Sequence, residues 1–212
     1  MLLINPKLPF RTIDDIRKAA KSLTLGFAGK TDGAADTGVV LCHALKISCR
    51  AVIGYPSSNE FTLAAIRGEV DGTVLVEDSA VRFSQDGQLR LIVLTGDEKS
   101  SMALHIPTIT EATEVDAEGR WWLDFREDLR KLGRLIVTSP GVPSARLAFL
   151  KEAIRAIVTD PQIMAEFEAK RMPLRYSPPE QMTKIIDSVL GGSVSENKLA
   201  EIRYVISEKY YK

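Results

Sequence analysis

Two short segments contain the residue types that bind small anions. Residues 29–34 (GKTDGA) and 54–59 (GYPSSN) each join an apolar run to a run with helical periodicity. At such a junction the backbone N–H groups of a helix N-terminus can bind an anion, and hydroxyl groups add further donors. Tyr55 adds a ring and a hydroxyl group that can stack on or hydrogen-bond to a ligand. The predicted donors are Gly29, Thr31, Gly33, Ala34, Tyr55, Ser57 and Ser58.

Ordinary helix capping is the alternative role of both segments, because every helix N-terminus needs acceptors. Asp32 fits an N-cap, and its carboxylate would then occupy N–H groups that an anionic ligand needs. It could instead favour an amide or a cationic group on the ligand. Helix capping is enough to explain the residue types of one such loop. Two loops that follow successive strands of one sheet favour a ligand site, since both open on the same edge.

The acidic residues Glu69 and Asp71 are the other candidates for chemistry. Alternation along a strand would point the two carboxylates to opposite faces, which argues against a catalytic pair. Asp71 alone could reach the ligand site or fix the turn. No nucleophile elbow, phosphate-binding loop or dinucleotide fingerprint occurs in the sequence. The sequence therefore predicts no enzyme, no cofactor and no catalytic residue.

Composition limits the function further. The chain has 212 residues, with 28 basic and 28 acidic side chains, so it lacks the basic excess of a nucleic-acid-binding protein. No apolar run approaches a membrane span, and the N-terminus lacks a secretory signal pattern, so export of the chain as given is not expected. Cys42 and Cys49 are expected as two buried thiols, with a disulfide as the alternative. With only His43 and His105, no metal site is predicted.

Strands and helices alternate in the first half of the chain. Apolar runs at 23–29, 47–55, 70–76 and 89–95 are predicted strands, separated by helices. The first helix would run from Thr12 to about Ser22, and a short one would span 78–84. Ser57 and Glu60 fit a capping box, and Gly68 fits a helix C-terminus. This alternation favours parallel pairing, and the fold class is α/β: a parallel or mixed sheet flanked by helices.

The second half is mainly helical. A long connection at 96–120 precedes a helix that begins at Trp121, and 133–140 is predicted as a strand. Four amphipathic helices follow, at 144–160, 161–172, 178–190 and 195–211. We therefore divide the chain into an α/β ligand-binding lobe at 9–125 and a return strand with C-terminal helices at 126–212. Helices without a sheet of their own indicate that a partner layer is missing.

Several motifs together resemble one known family. The segment GYPSSNEFTLAAIRGEVDG (54–72) is similar to the "Y-x-G … A-x-x-x-GE-x-D" pattern of the extracytoplasmic solute receptors of tripartite tricarboxylate transporters, the TctC or Bug type. Further similar segments follow in the family's order: 8–47, GQLRLIVLT (87–95), IPTITEAT (106–113) and 137–182. The resemblance spans nearly the whole chain.

The resemblance implies a two-lobed type II periplasmic binding protein that closes over a small carboxylate and is not an enzyme. It implies a periplasmic location and membrane transporter subunits as partners. The loops at 29–34 and 54–58 match the family's ligand contacts in the second lobe. These are the same two loops that follow successive strands and that the residue types favour as a ligand site. Thr31-Asp32 replaces a Gly-Ser pair, Pro56-Ser57 replaces a variable residue and glycine, and Thr113 replaces glycine, so the ligand is left open.

The sequence lacks the signal peptide and the first-lobe passage with which family members begin. We therefore expect a fragment or truncated form of such a receptor. The alternative is a degenerate receptor piece that acts as an interaction protein and forms a homodimer through the surface that the missing lobe would cover. An unrecognised enzyme is the third possibility, and it would need a carboxylate with a perturbed pKa between the two loops.

Overall fold

The structure is a computed structural model, and it describes residues 1–133, 135–170, 174–190 and 194–211. The chain divides into two compact units: Met1–Asp128 with Ser195–Lys212, and Leu129–Val194. None of the described helices combines the length and hydrophobicity that a membrane-spanning helix needs.

A mixed five-stranded sheet forms the centre of the first unit. Its strands are β1 Leu2–Ile4, β2 Leu23–Gly26, β3 Cys49–Val52, β4 Gly72–Val74 and β5 Arg90–Val93. They lie in the order β3-β2-β4-β1-β5. β2 pairs in parallel with β3 and β4, whereas β1 pairs antiparallel with β4 and β5. The α/β fold class and the four predicted strands are confirmed, although each strand is shorter than predicted.

β1 was not predicted from the sequence. Its three residues are all buried, and Leu2 pairs with Val74 and Val93. Three residues give too short a run for periodicity to indicate a strand, and both partner strands lie about 70 to 90 positions away in the sequence. β1 makes the sheet mixed, because an antiparallel strand enters between β4 and β5.

Helices surround the sheet and make up the second unit. They are α1 Ile13–Arg17, α2 Gly33–Ala44, α3 Ser58–Arg67, α4 Glu77–Gln85, α5 Ile109–Ala112, α6 Ala117–Leu132, α7 Ser144–Val158, α8 Pro161–Ala169, α9 Pro179–Leu190 and α10 Glu196–Tyr204. A π-helical turn, Val205–Lys209, follows α10. α5 lies inside the predicted connection at 96–120. The last two positions of the helix predicted at 161–172 lie outside the described residues.

Local signals set the ends of α3 and α1. The Ser57 hydroxyl accepts a hydrogen bond from the Glu60 N–H, and Gly68 ends α3 at φ 85°, a conformation that favours glycine. Thr12 and Asp15 form a capping box at α1. α1 ends at Arg17 rather than Ser22, because Ile13 and Ile16 are its only buried side chains and no large apolar residue follows them.

The second unit buries little apolar surface. No residue of α7 or α8 is buried, and Ile136, Val137 and Phe149 are 72%, 79% and 71% exposed. The strand predicted at 133–140 is absent from its described positions, 133 and 135–140, and Arg134 lies outside the described residues. Among the described residues of this unit there is no other strand with which 135–139 could pair.

The expectation of two free thiols is wrong, because Cys42 and Cys49 form a disulfide. Cys42 lies in the last turn of α2 and Cys49 begins β3, with 6.3 Å between their Cα atoms. A tight return brings them together: Ile47 N–H donates to the Cys42 carbonyl at 2.8 Å, and Lys46 adopts φ 54°. The spacing in sequence does not reveal this turn.

We expect the disulfide to stabilise the first unit. Replacing both cysteines by alanine should lower the free energy of unfolding by about 2 kcal/mol, because the bridge restricts the unfolded chain. Denaturant unfolding measures this value. Dithiothreitol should destabilise the wild type and leave the C42A/C49A variant unchanged; equal behaviour of the two proteins would contradict a bridge in solution.

Candidate functional site

The two predicted loops lie side by side at one edge of the sheet. β2 and β3 are parallel neighbours, so the segments that follow them leave the sheet at the same edge. Phe27 N–H donates to the Val52 carbonyl at 2.9 Å, and one step further Gly54 N–H donates to the Ala28 carbonyl at 3.1 Å. The strand ladder therefore continues into the loops and fixes the N-termini of α2 and α3 next to each other.

Asp32 occupies the N-terminus of α2. Its carboxylate accepts hydrogen bonds from Ala34 N–H at 3.0 Å and from Ala28 N–H at 3.3 Å. Asp32 is therefore the N-cap, which is the alternative that the sequence left open. The Ala34 N–H, predicted as a donor to a ligand, is already used inside the protein. The Asp32 carboxylate would repel a second anion at this helix end.

The N-terminus of α3 is more open. Ser57 and Ser58 are exposed, and within the described part of the chain nothing accepts a hydrogen bond from the N–H groups of Ser58 and Asn59. On the α2 side Thr31 is exposed, and a Cβ at Gly29 would find no atom within 4 Å. Free donors and open space therefore coincide at this edge.

Tyr55 packs across the base of the site. A Cβ placed at Gly26 would lie 3.4 Å from Tyr55 Cε2 and 3.1 Å from Val70 Cγ2, so the glycine makes room for the ring. The ring is half-buried against the core cluster that includes Phe61. Burial, with the Glu69 carboxylate as a second cause, raises the pKa of Tyr55. The phenol therefore stays neutral and can donate.

Asp71 lies away from the other predicted site residues. It directly precedes β4, whereas the site follows β2 and β3, so it lies at the opposite edge of the sheet. Its Oδ2 accepts from Thr24 N–H at 2.8 Å and from the Thr24 hydroxyl at 2.7 Å. Asp71 therefore joins β2 to β4, which is the turn-fixing role that the sequence offered as its alternative.

Three residues near the first turn of α2 were not predicted: Asp36, Arg126 and Tyr211. Arg126 Nη2 donates to the Gly33 carbonyl at 3.0 Å, and Lys30 Nζ lies 5.2 Å from the centre of the Tyr211 ring. Burial raises the pKa of Asp36, which the Arg126 guanidinium partly opposes. Burial also raises the pKa of Tyr211 to about 12, with Asp36 and Asp32 as further causes. Tyr211 is therefore a neutral neighbour of the loop.

A second polar cluster lies at the other end of α2. Ligand-type atoms of His43, Glu118 and Glu201 lie within 4.8 Å of one another. Lys198 Nζ lies 2.9 Å from Glu201 Oε2 and 3.7 Å from Glu118 Oε1, and it also lies over the rings of Trp121 and Trp122. The Lys198 ammonium group already contacts both carboxylates, so we propose no metal site here.

The fold is that of TctC- and Bug-type periplasmic binding proteins. Similar structures include an R. palustris protein with adipate (14% identity, TM-score 0.60), a TctC solute-binding protein from Polaromonas (13%, 0.61) and MatC from Rhodopseudomonas palustris with bound malate (17%, 0.58). The matches cover 97%, 97% and 98% of this chain, and 64%, 64% and 66% of those chains. A periplasmic binding protein called BugD is also similar (15%, 0.60).

The chain thus spans about two thirds of the length of these neighbours. Neither a protein-family model nor a curated protein sequence matches it. The fold predicted from the resemblance is confirmed.

Replacing Asp71 by alanine should affect stability and not binding. The variant loses two hydrogen bonds to a carboxylate that is only 15% exposed, so the free energy of unfolding should fall by about 2 kcal/mol. Denaturant unfolding measures this loss. Thr24→Val removes the bonds of the hydroxyl to the Asp71 carboxylate and N–H, but the Thr24 N–H still donates to the carboxylate and the Asp71 N–H still donates to the Thr24 carbonyl, so it should cost less. A stability equal to that of the wild type would show that Asp71 does not join the strands.

Proposed function

We propose that the first unit binds a small carboxylate as part of a solute receptor of a tripartite tricarboxylate-type transporter, and that it is not an enzyme. One observation carries the proposal: the two helix N-termini are joined by the Gly54 to Ala28 hydrogen bond at the carboxyl edge of the sheet. Proteins of this fold include one with adipate and one with bound malate, which supports a carboxylate as the ligand.

The binding mode that we propose uses the α3 end for the carboxylate. The N–H groups of Ser58 and Asn59, with the hydroxyls of Ser57, Ser58 and Tyr55, would supply donors. Thr31 and the Gly29 and Gly33 backbone would contact the rest of the ligand from the α2 side. Asp32 disfavours a second anionic group there and suits an amide or hydroxyl donor of the ligand.

The second unit, Leu129–Val194, would represent part of a second lobe, and membrane subunits of the transporter would be the partners. We also propose a periplasmic location. The Cys42–Cys49 disulfide supports it independently of the fold, because disulfides persist in oxidising compartments such as the bacterial periplasm. The names TctC, periplasmic transporter and BugD among the structural neighbours support the same assignment.

Ligand binding is tested by thermal unfolding with malate, adipate, citrate and their amides. A ligand at a hundred times its Kd stabilises the native state by about 2.7 kcal/mol, which corresponds to a shift of several degrees. Gly29→Leu should abolish the shift and fold normally, because its side chain enters open space. Gln85→Leu adds the same side chain at the exposed far end of α4 and should bind like the wild type.

The outcomes separate the site from the function. A saturable shift that persists in Gly29→Leu would mean that the ligand binds elsewhere. No shift with any of these acids or amides would contradict carboxylate binding by this chain.

A homodimeric interaction protein without a ligand is the second candidate. The exposed side chains of Ile136, Val137 and Phe149 favour it, because apolar surface of this kind marks contact sites. Sedimentation should then give a dimer for the wild type and a monomer for the variant V137E/F149E, with unchanged circular dichroism. A monomeric wild type would exclude this candidate.

A further inference from the structure

The C-terminal segment, residues 196–211, is held against the rest of the first unit around one histidine. His43, near the end of α2, has its Nδ1 atom 2.9 Å from Lys209 Nζ and 3.2 Å from the Tyr210 hydroxyl. Its Nε2 atom lies 3.7 Å from Glu201 Oε1, and its ring packs edge-on against Trp122 at 4.7 Å. Groups on α10 and on the π-helical turn therefore meet at a single side chain of α2.

The charges around His43 balance only when the imidazole is neutral. Glu118 of α6 and Glu201 of α10 are the acidic groups, and Lys198 of α10 and Lys209 of the π-helical turn are the basic groups. The two carboxylates offset the two ammonium groups. A proton on His43 would add a fifth charge and leave the cluster with an excess of positive charge.

The geometry also requires a free lone pair on Nδ1. The Lys209 ammonium, which can only donate, can bond to that atom only while it carries no hydrogen, whereas the Tyr210 hydroxyl can donate or accept. Protonation would place an N–H group and a second positive charge against the Lys209 ammonium. Burial lowers the pKa of His43, and Lys209 lowers it further, whereas Glu201 and Glu118 partly oppose this effect.

The same segment closes the edge of the sheet. The Tyr210 carbonyl accepts from Ala51 N–H at 2.7 Å, and β3, which contains Ala51, is an edge strand. The next residue, Tyr211, lies against Lys30 in the candidate site. Detachment of the segment would therefore expose the edge of β3 and remove Tyr211 from the loop at 29–34.

We propose that residues 196–211 form a pH-sensitive strap that is docked while His43 is neutral and detaches when His43 is protonated. Because the pKa of His43 is lower in the docked state, the detached state binds the proton more tightly. The docked state is therefore fully favoured above the ordinary histidine pKa, and it loses stability as the pH falls below that value. The strap does not depend on the proposed ligand.

Amide hydrogen exchange in the full-length chain tests the strap. We compare protection factors, corrected for intrinsic exchange, from about pH 7.5 down to about pH 5.5, the range in which a histidine changes charge. The Ala51 amide, which donates to the strap, should lose protection several-fold. The Phe27 amide, which donates to Val52 within the sheet, should not. This internal control separates detachment from global unfolding.

Two variants assign the effect to His43. His43→Gln retains a hydrogen-bonding side chain without the titration, so the Ala51 amide should keep its protection throughout this range. His105→Gln removes the only other histidine, which is exposed, and should behave like the wild type. Equal protection of Ala51 across the range in the wild type, or a loss that persists in His43→Gln, would overturn the proposal. Parallel loss at Ala51 and Phe27 would also overturn it.

Discussion

The parallel pairing of β2 with β3 is the constraint on which the candidate site depends. The pairing continues beyond both strands through the hydrogen bond from the Gly54 N–H to the Ala28 carbonyl. The loops after β2 and β3 therefore begin side by side at the same edge of the sheet. Each exit then runs at once into a helix, and the N-termini of α2 and α3 come to lie next to each other. At the opposite edge Asp71 joins β2 to β4 and keeps the central strands in register. The donors of the site are thus positioned by backbone pairing.

The two helix ends differ in what they can bind. Asp32 places a carboxylate at the N-terminus of α2, where it accepts from the Ala34 N–H, whereas the neutral Ser57 hydroxyl caps α3 through the Glu60 N–H. An anion is therefore better accommodated at α3, and the α2 side suits a neutral or donating group.

Local features could be predicted from the sequence because their signals lie within a few residues. The Ser57 cap, the Gly68 terminus and the Asp32 cap are confirmed, as are the two loops as neighbours at one sheet edge. Features that join distant parts of the chain could not be predicted. β1 and the position of Tyr211 depend on which distant segments meet, and no local pattern records that. The Cys42–Cys49 bridge spans only seven positions, but it depends on the tight return at Lys46, which the spacing of the cysteines does not reveal. Spacing along the chain does not distinguish the two edges of a sheet, so it could not predict that Asp71 bonds to Thr24 at the edge opposite the two loops.

The central claim is that a small carboxylate binds at the joined N-termini of α2 and α3. The most direct test is an NMR titration of the isotope-labelled chain with malate and with adipate, which follows every backbone amide. The claim predicts saturable shift changes that are largest at Tyr55, Ser58 and Asn59, with smaller changes at Gly29 and Thr31. Saturable changes confined to other parts of the chain, or no saturable change with either acid, would contradict it.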